Sequence, residues 1–159
     1  GSYMMKLAGK GDDIEQNKKM IMENINNKKA LNKFKELIKN QGGDVSYIED
    51  TSKFEKAKYI IPIKSEKIGY IKSMDNEKIG YISSSLGAGR LKKEDKINDK
   101  VGIIINKKIG DKVNVGDVLG FIHSDDIEVG NNAVKEMQNC YEFSDEYVEK
   151  QKHILGIIK

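Results

Sequence analysis

The chain has 159 residues, of which 33% are charged, and its formal net charge at pH 7 is only +3. Because the two signs of charge nearly cancel, the composition argues against binding of nucleic acid or of an anionic membrane surface. The apolar runs are too short to span a bilayer and the first residues do not resemble a signal peptide, so we expect a cytoplasmic protein.

Three helices are predicted in the first part of the chain. The apolar residues of "YMMKLA" lie on one helical stripe, which stops at Gly9. A second helix is expected from a cap at Asp12 or Asp13 to about Asn27, and a third apolar stripe ends before Gly42.

From Lys58 onward the pattern changes to short runs of β-branched and aromatic residues that alternate with lysines. Pro62, the only proline, indicates that its strand lies at a sheet edge or begins there, because proline cannot donate to a strand ladder. Strands are predicted at residues 59–63, 68–73, 78–83, 101–105, 118–123 and 141–144.

Two further patterns concern the same half of the chain. The octapeptides "EKIGYIKS" and "EKIGYISS" recur eleven residues apart and predict two neighbouring strands joined by a turn. Apolar residues from Ala133 to Tyr141 predict a short helix, and the tail "HILGIIK" is expected to add an edge strand.

The stretch "LGAGRLKKEDKI" has two glycines one residue apart, followed by a cation. Such glycines let backbone N–H groups converge on a phosphate, but both the P-loop and the dinucleotide-binding patterns are incomplete here. A structural turn with positive φ at one of the glycines is the favoured interpretation, and an anion site is the alternative. The residues of interest are Leu86, Gly87, Ala88, Gly89, Arg90, Glu94 and Asp95.

Arg90 is the only arginine among 28 basic residues. Its planar guanidinium can bind several carbonyls or a carboxylate in a way that lysine cannot. We therefore expect Arg90 to make at least two hydrogen bonds, with Glu94 and Asp95 as the nearest candidates.

The phrase "KKIGDKVNVGDVLGFI" contains two Gly-Asp pairs that predict tight turns, at Gly110 and Asp111 and at Gly116 and Asp117. This doubled turn resembles the hammerhead element of biotinyl- and lipoyl-carrier domains. A carrier also needs a lysine in an M-K-M or D-K-A context, and neither context occurs.

No nucleophile or proton carrier with an orienting partner is found. Cys140 is the only cysteine and is expected to be a small core residue, while His123 and His153 have no metal-ligand spacing. Acidic pairs such as residues 125–126 are typical of helix caps and turns. We expect no catalytic, substrate-binding or metal-binding residue in this segment, and no cofactor.

The phrases "GSYMMKLAGKG", "KALNKFKELIKNQGGD" and "LGAGRLKKEDKINDKVGIIINKKIGDKVNVGDVLGFI" resemble, in this order, the C-terminal portion of bacterial pyrimidine-nucleoside phosphorylases and thymidine phosphorylases. The resemblance implies an α+β fold. Residues 1–50 would be the last helices of a central α/β domain, and residues 51–159 a C-terminal α/β-hammerhead domain of barrel-sandwich type. It also implies a reaction in which phosphate, as co-substrate, displaces the base of a pyrimidine nucleoside.

The family's glycine- and Ser/Thr-rich phosphate segment and its Arg-Ser-Lys base-binding stretch are absent from this sequence. The resemblance therefore implies a fragment, inactive alone, that braces or closes an active site in the N-terminal part of the same enzyme. It further implies that the parent is a homodimer through that part, and that Leu86 to Arg90 pack where two domains meet. The alternative is an independent interaction or carrier module.

Overall fold

Helices fill the first third of the chain, and helices and antiparallel strands the rest, so the predicted α+β class is confirmed. The structure is a computed structural model, and it describes residues 1–90, 92–150 and 152–158. It divides into two units, Gly1–Phe54 and Glu55–Lys159.

The first unit contains the three predicted helices, α1 (Ser2–Leu7), α2 (Ile14–Asn26) and α3 (Lys29–Asn40), followed by the short α4 (Ser46–Glu49) and a 3₁₀ turn (Thr51–Lys53). Asp13 caps α2 by accepting hydrogen bonds from the backbone N–H groups of Glu15 (2.9 Å) and Gln16 (3.1 Å). Beyond the last turn of α1, Gly9 takes the left-handed conformation with φ +67°. Capping and glycine stops therefore place these helices where the sequence predicts them.

Asn17 is the one buried residue within Gly1–Phe54. Its side-chain amide donates to the carbonyl oxygens of Ser2 (3.3 Å) and Gly11 (2.9 Å), which ties α2 to the loop before it and to α1. Many of the large apolar side chains of this unit are exposed, as Leu7 (88%) and Phe34 (45%) illustrate. The unit therefore presents apolar surface instead of enclosing it.

The second unit contains two three-stranded sheets with antiparallel pairing throughout. One has the order β1-β5-β3 and the other β4-β2-β6. Pro62 lies on β1, at an edge of its sheet as predicted. The elements are β1 (Tyr59–Lys64), β2 (Gly69–Met74), α5 (Asn76–Ser83), a π-helical turn (Ser84–Ala88), β3 (Gly102–Ile105), β4 (Lys112–Val113), β5 (Val118–Ser124), α6 (Ile127–Gln138) and β6 (Tyr141–Ser144).

The core of the second unit collects side chains from both sheets and from α5 and α6. Ile63 and Ile122 come from one sheet, Ile71 and Val113 from the other, and Met137 from α6; all five are fully buried. Burial of each large aliphatic side chain contributes about 1.5–3 kcal/mol, so this cluster stabilises the unit.

The repeated octapeptide folds in two different ways, and the prediction of two neighbouring strands is therefore wrong. The first copy, residues 66–73, contributes β2, whereas the second copy, residues 77–84, forms α5 where a strand was predicted at 78–83. Asp75 caps α5 by accepting a hydrogen bond from the backbone N–H of Lys78 (2.9 Å).

Burial shows why the two copies differ. Ile79 and Ile82, three residues apart, are both buried on one face of α5. At the matching positions of the first copy, Ile71 is buried but Ile68 is 60% exposed. The strand β2 already has a partner on each side, so the second copy could not pair with it. Tertiary surroundings therefore decide the conformation of a nearly identical sequence.

Two predictions near the C-terminus also need correction. The helix expected from Ala133 begins earlier, at Ile127, because Asp126 caps it, and Tyr141 lies on β6 instead of the helix. Gly130 lies within this helix. Because a Cβ there would lie only 2.6 Å from Ile61 Cδ1, the glycine allows the helix to pack closely on β1. The tail forms no strand over residues 152–158, and Lys159 lies outside the described residues.

Replacement of Ile79 by Ala should lower the free energy of unfolding by about 2–4 kcal/mol, because it removes a buried side chain. Ile68→Ala is the matched control, at the equivalent position of the other copy, and should cost less than about 1 kcal/mol. Urea denaturation followed by circular dichroism measures both. Equal losses would show that the two copies share one environment.

Candidate functional site

The loop from Leu86 to Arg90 is held by its glycines. Gly87 has φ +101°, which confirms the prediction of positive φ, and its carbonyl accepts a hydrogen bond from the backbone N–H of Asn98 (2.9 Å). Gly89 is extended, but a Cβ there would lie 2.6 Å from Ser84 Oγ. One glycine therefore provides a left-handed turn and the other provides space.

The two serine hydroxyls next to the loop bond within the chain. The hydroxyls of Ser84 and Ser85 donate to the carbonyl oxygens of Gly80 (3.1 Å) and Ile82 (2.8 Å), one helical turn back. These groups complete the end of α5, which favours the structural interpretation of the loop.

The hydrogen bonds predicted for Arg90 are not found among the described residues. Its side chain is exposed, and within residues 1–90, 92–150 and 152–158 no hydrogen bond or ion pair involves the guanidinium. Asp95 instead closes a turn by accepting from the backbone N–H of Lys92 (2.8 Å), and Glu94 is exposed.

A polar cluster lies where β3 begins, next to the loop. The side-chain amide of Asn98 donates to Asp125 Oδ2 (2.9 Å), and the backbone N–H of Lys58 donates to Asp125 Oδ1 (3.0 Å). Lys100 Nζ lies 3.5 Å from Asp125 Oδ2 and 3.4 Å from Glu55 Oε2. The cluster thus joins the segment before β1 to the ends of β3 and β5.

These contacts favour the charged form of each group. The amide of Asn98, the N–H of Lys58 and the charge of Lys100 lower the pKa of Asp125. Asp125 and then Glu55 raise the pKa of Lys100. The cluster therefore stays ionised and paired near neutral pH, which suits a structural bridge better than a proton carrier.

The loop and the cluster border one open depression of about 370 Å³. Ala88, Lys100 and His123 all line it. Sequence reasoning treated the loop and His123 separately, and it missed Asn98 and Lys100 because neither lies in a motif. The one sequence signal for this cluster was the acidic pair at residues 125–126, which was interpreted as a helix cap. Asp126 does cap α6, but Asp125 belongs to the polar cluster instead.

A type of turn recurs at the two Gly-Asp pairs. In the first, Asp111 N–H donates to the Lys108 carbonyl (3.0 Å) while the Asp111 carboxylate accepts from Lys108 N–H (2.9 Å). In the second, Asp117 makes the same two bonds with Asn114 (3.1 and 2.9 Å). Gly110 (φ +87°) and Gly116 (φ +90°) supply the left-handed position that each turn needs.

Each turn also binds a strand or its extension by a reciprocal pair of backbone hydrogen bonds. Gly110 N–H donates to the Ile71 carbonyl (2.9 Å), and Ile71 N–H donates back to the Asp111 carbonyl (3.0 Å). Gly116 and Asp117 form the equivalent pair with Ser65, both bonds 2.8 Å long. The first turn is therefore bonded to the middle of β2, and the second turn is bonded to the residue that follows β1.

The chain after β6 returns to the first of these turns. Lys150 Nζ pairs with Asp111 Oδ1 at 2.6 Å, which lowers the pKa of Asp111 and raises that of Lys150. Tyr147 meets the edge of the Tyr70 ring, with centroids 5.4 Å apart. A Cβ on Gly110 would lie 3.0 Å from the Lys150 backbone nitrogen, so the glycine also makes room for the returning chain.

The remaining candidates for chemistry have structural surroundings. Cys140 is buried, its Sγ donates to the Glu136 carbonyl (3.3 Å), and burial raises the pKa of its thiol, so its prediction as a core residue is confirmed. Among the described residues no three His, Cys, Asp or Glu side chains come together in a way that could hold a metal ion. None of the helices in the described ranges combines the length and the apolar character needed to cross a bilayer.

Comparison with known proteins gives this architecture a family. Residues 70–144, from β2 to β6, match the family model of the pyrimidine nucleoside phosphorylase C-terminal domain. The match includes the glycine loop, the start of β3 and both Gly-Asp turns. The unit is therefore a domain of a nucleoside-phosphorylase type.

The relatives are more specific. The chain is 43% identical over 148 residues to the pyrimidine-nucleoside phosphorylase of Staphylococcus aureus strain USA300, and 43% identical over 148 residues to that of strain bovine RF122 / ET3-1. The match covers 93% of this chain and 34% of each relative, so the chain spans about a third of their length. The chain carries the C-terminal domain of the pyrimidine nucleoside phosphorylase family, as its sequence motifs indicated.

Substitution of Ala for Gly87 should destabilise the protein by about 1–2 kcal/mol, because an L-residue is strained in the left-handed region. Gly89→Ala should cost about 1–3 kcal/mol through overlap with Ser84. Gly80→Ala is the control: it lies in α5 with nothing within 4 Å of the new methyl group, and should be neutral or stabilising. Thermal unfolding compares the three variants; a destabilised control with unaffected loop variants would contradict the structural interpretation.

Gly110→Ala and Gly116→Ala form a second matched pair, because both glycines have nearly the same φ. The shared backbone strain should cost each variant about 1 kcal/mol. Only Gly110→Ala should also displace the chain around Lys150, because nothing lies within 4 Å of a Cβ on Gly116. Limited proteolysis after Lys150 measures this release, and equal cleavage of the two variants would contradict it.

Proposed function

We propose that this chain is the C-terminal domain of a pyrimidine-nucleoside phosphorylase, a glycosyltransferase of nucleoside metabolism. In that reaction phosphate displaces the base of a pyrimidine nucleoside and gives the free base and a pentose 1-phosphate. The observation that supports the proposal is 43% identity over 93% of the chain to enzymes of that name. Phosphate is then a co-substrate, and no cofactor is required.

The two units fit different parts of such an enzyme. Gly1–Phe54, predicted as residues 1–50, is the last helical portion of a central α/β domain, and the half-exposed apolar side chains of its helices support this assignment. Glu55–Lys159, predicted as residues 51–159, is an α/β-hammerhead domain. The two small sheets and the paired Gly-Asp turns support that finer description.

The role of the second unit is to brace or close an active site that the N-terminal part of the same enzyme supplies. The loop from Leu86 to Arg90 is the contact surface between domains. Its backbone is held by the hydrogen bond from Asn98 N–H to the Gly87 carbonyl, while the side chain of Arg90 is exposed and has no partner in the described part of the chain. A carboxylate or carbonyl of the N-terminal part is the partner that this guanidinium binds.

The rest of the proposal concerns the assembled enzyme. It is cytoplasmic, it dimerises through the N-terminal part, and its partners include neither nucleic acid nor a membrane. The near-neutral balance of 28 basic and 25 acidic residues supports the last point.

The 159-residue chain alone should release no uracil from uridine and no thymine from thymidine above the uncatalysed rate. Phosphorolysis requires phosphate and nucleoside to be held in a reactive geometry, and the family segments that would hold them are absent here. In a chimera, the chain replaces the matching C-terminal third of the S. aureus enzyme. This chimera should show phosphate-dependent release of uracil, measured by chromatography.

Two controls make the experiment decisive. The S. aureus enzyme truncated before the replaced segment should be inactive, and the chimera with Arg90→Lys should be impaired because lysine cannot reproduce the planar contact. A folded but inactive chimera would contradict the proposed function. Phosphate-dependent activity of the isolated chain that is lost in Arg90→Lys would instead make the loop part of an active site.

A further inference from the structure

A small cavity of about 200 Å³ lies between the end of β1 and the strand β6, and it shares no residue with the glycine loop or the Gly-Asp turns. Tyr141, Phe143 and Leu119 form an apolar part of its lining. Its polar part includes Lys64, Glu66 and Lys67, and the amide of Gln138 donates to the Lys64 carbonyl (2.9 Å).

The side chain of Tyr141 carries an unpaired polar atom. The residue is only 5% exposed, and its hydroxyl is the one buried side-chain atom in the described residues that has no hydrogen-bond partner. A buried hydroxyl without a partner costs about 1–3 kcal/mol, so native proteins rarely leave one. The unpaired hydroxyl therefore indicates that a bound molecule can supply its hydrogen-bond partner.

The protonation state of this hydroxyl indicates which partner fits. Burial raises the pKa of Tyr141 to about 12, so the group keeps its proton near neutral pH and is available as a donor. The hydroxyl can therefore donate this proton to an acceptor in the cavity.

The charges around the cavity indicate that the acceptor is an anion. Lys64, Lys67 and Glu66 are exposed, and within the described residues none of the three has an ion-pair partner. Together they carry one net positive charge at the cavity, which favours an anion over a cation or a neutral molecule. Lys67 Nζ lies 6.0 Å from the centre of the Phe143 ring, so cationic and apolar surface adjoin each other.

We infer that this cavity binds a small aliphatic carboxylate. The carboxylate accepts a hydrogen bond from the Tyr141 hydroxyl and is neutralised by Lys64 and Lys67. Its alkyl part lies against Phe143 and Leu119. This inference does not depend on the proposed function.

Nuclear magnetic resonance of the ¹⁵N-labelled chain tests this inference with sodium butyrate as the probe. Saturable shifts are expected at Leu119, Gln138 and Phe143. Butyramide, which has the same alkyl chain without the charge, and sodium chloride at equal ionic strength should give no saturable shifts there. Equal binding of butyramide and butyrate would overturn the assignment of a carboxylate site.

Tyr141→Phe removes only the hydroxyl and should weaken butyrate binding about tenfold. The unfolding midpoint of this variant without butyrate should be unchanged or higher, because an unpaired buried group has been removed, and this measurement excludes misfolding. Lys64→Gln and Lys67→Gln should each weaken binding severalfold.

Two controls have the same chemistry at exposed positions. Tyr147→Phe, at a side chain that is 72% exposed, and Lys19→Gln, at an exposed lysine of the first unit, should bind butyrate like the original chain. Unchanged binding in Tyr141→Phe, or shifts confined to residues away from the cavity, would overturn the inference.

Discussion

The second unit depends on two Gly-Asp turns that each exchange a pair of backbone hydrogen bonds with another segment. The turn at Gly110 and Asp111 binds the middle of β2, and the turn at Gly116 and Asp117 binds Ser65 at the end of β1. Because β1 and β2 belong to different sheets, these four hydrogen bonds fix the position of one sheet relative to the other. The side chains of Ile63, Ile71 and Val113 are fully buried around this connection, so hydrogen bonding and apolar packing support the same arrangement.

Hydrogen bonds also hold the glycine loop in place. Backbone hydrogen bonding from Asn98 holds Gly87, and Asn98 also binds Asp125, which in turn binds Lys58 and Lys100. A chain of polar contacts therefore runs from the loop to the first residues of the unit. Such a connected network favours one arrangement of the loop. The guanidinium of Arg90, at the end of the loop, is exposed.

The candidate site was only partly predictable from sequence. The glycines at 87 and 89 and the two Gly-Asp pairs were recognisable because glycine marks backbone geometry that other residues avoid. The positions of Lys100 and His123 beside the loop were not recognisable, because they arise from the pairing of β3 with β5. Nearness in sequence was likewise a poor guide to the contacts of Asp95, whose carboxylate accepts a hydrogen bond from the backbone N–H of Lys92.

Local chemistry in the sequence determined the helices of the first unit, the edge position of Pro62 and the turns, because caps, prolines and glycines act within a few residues. Its motifs also determined the family. The sequence of the repeated octapeptide did not decide its two conformations, since its Ile and Tyr residues suit either a strand or a short helix; the choice came from the flanking cap together with the tertiary structure. What selects the helix for the second copy is the cap at Asp75, the burial of Ile79 and Ile82 on one face, and a β2 strand that already has partners on both edges.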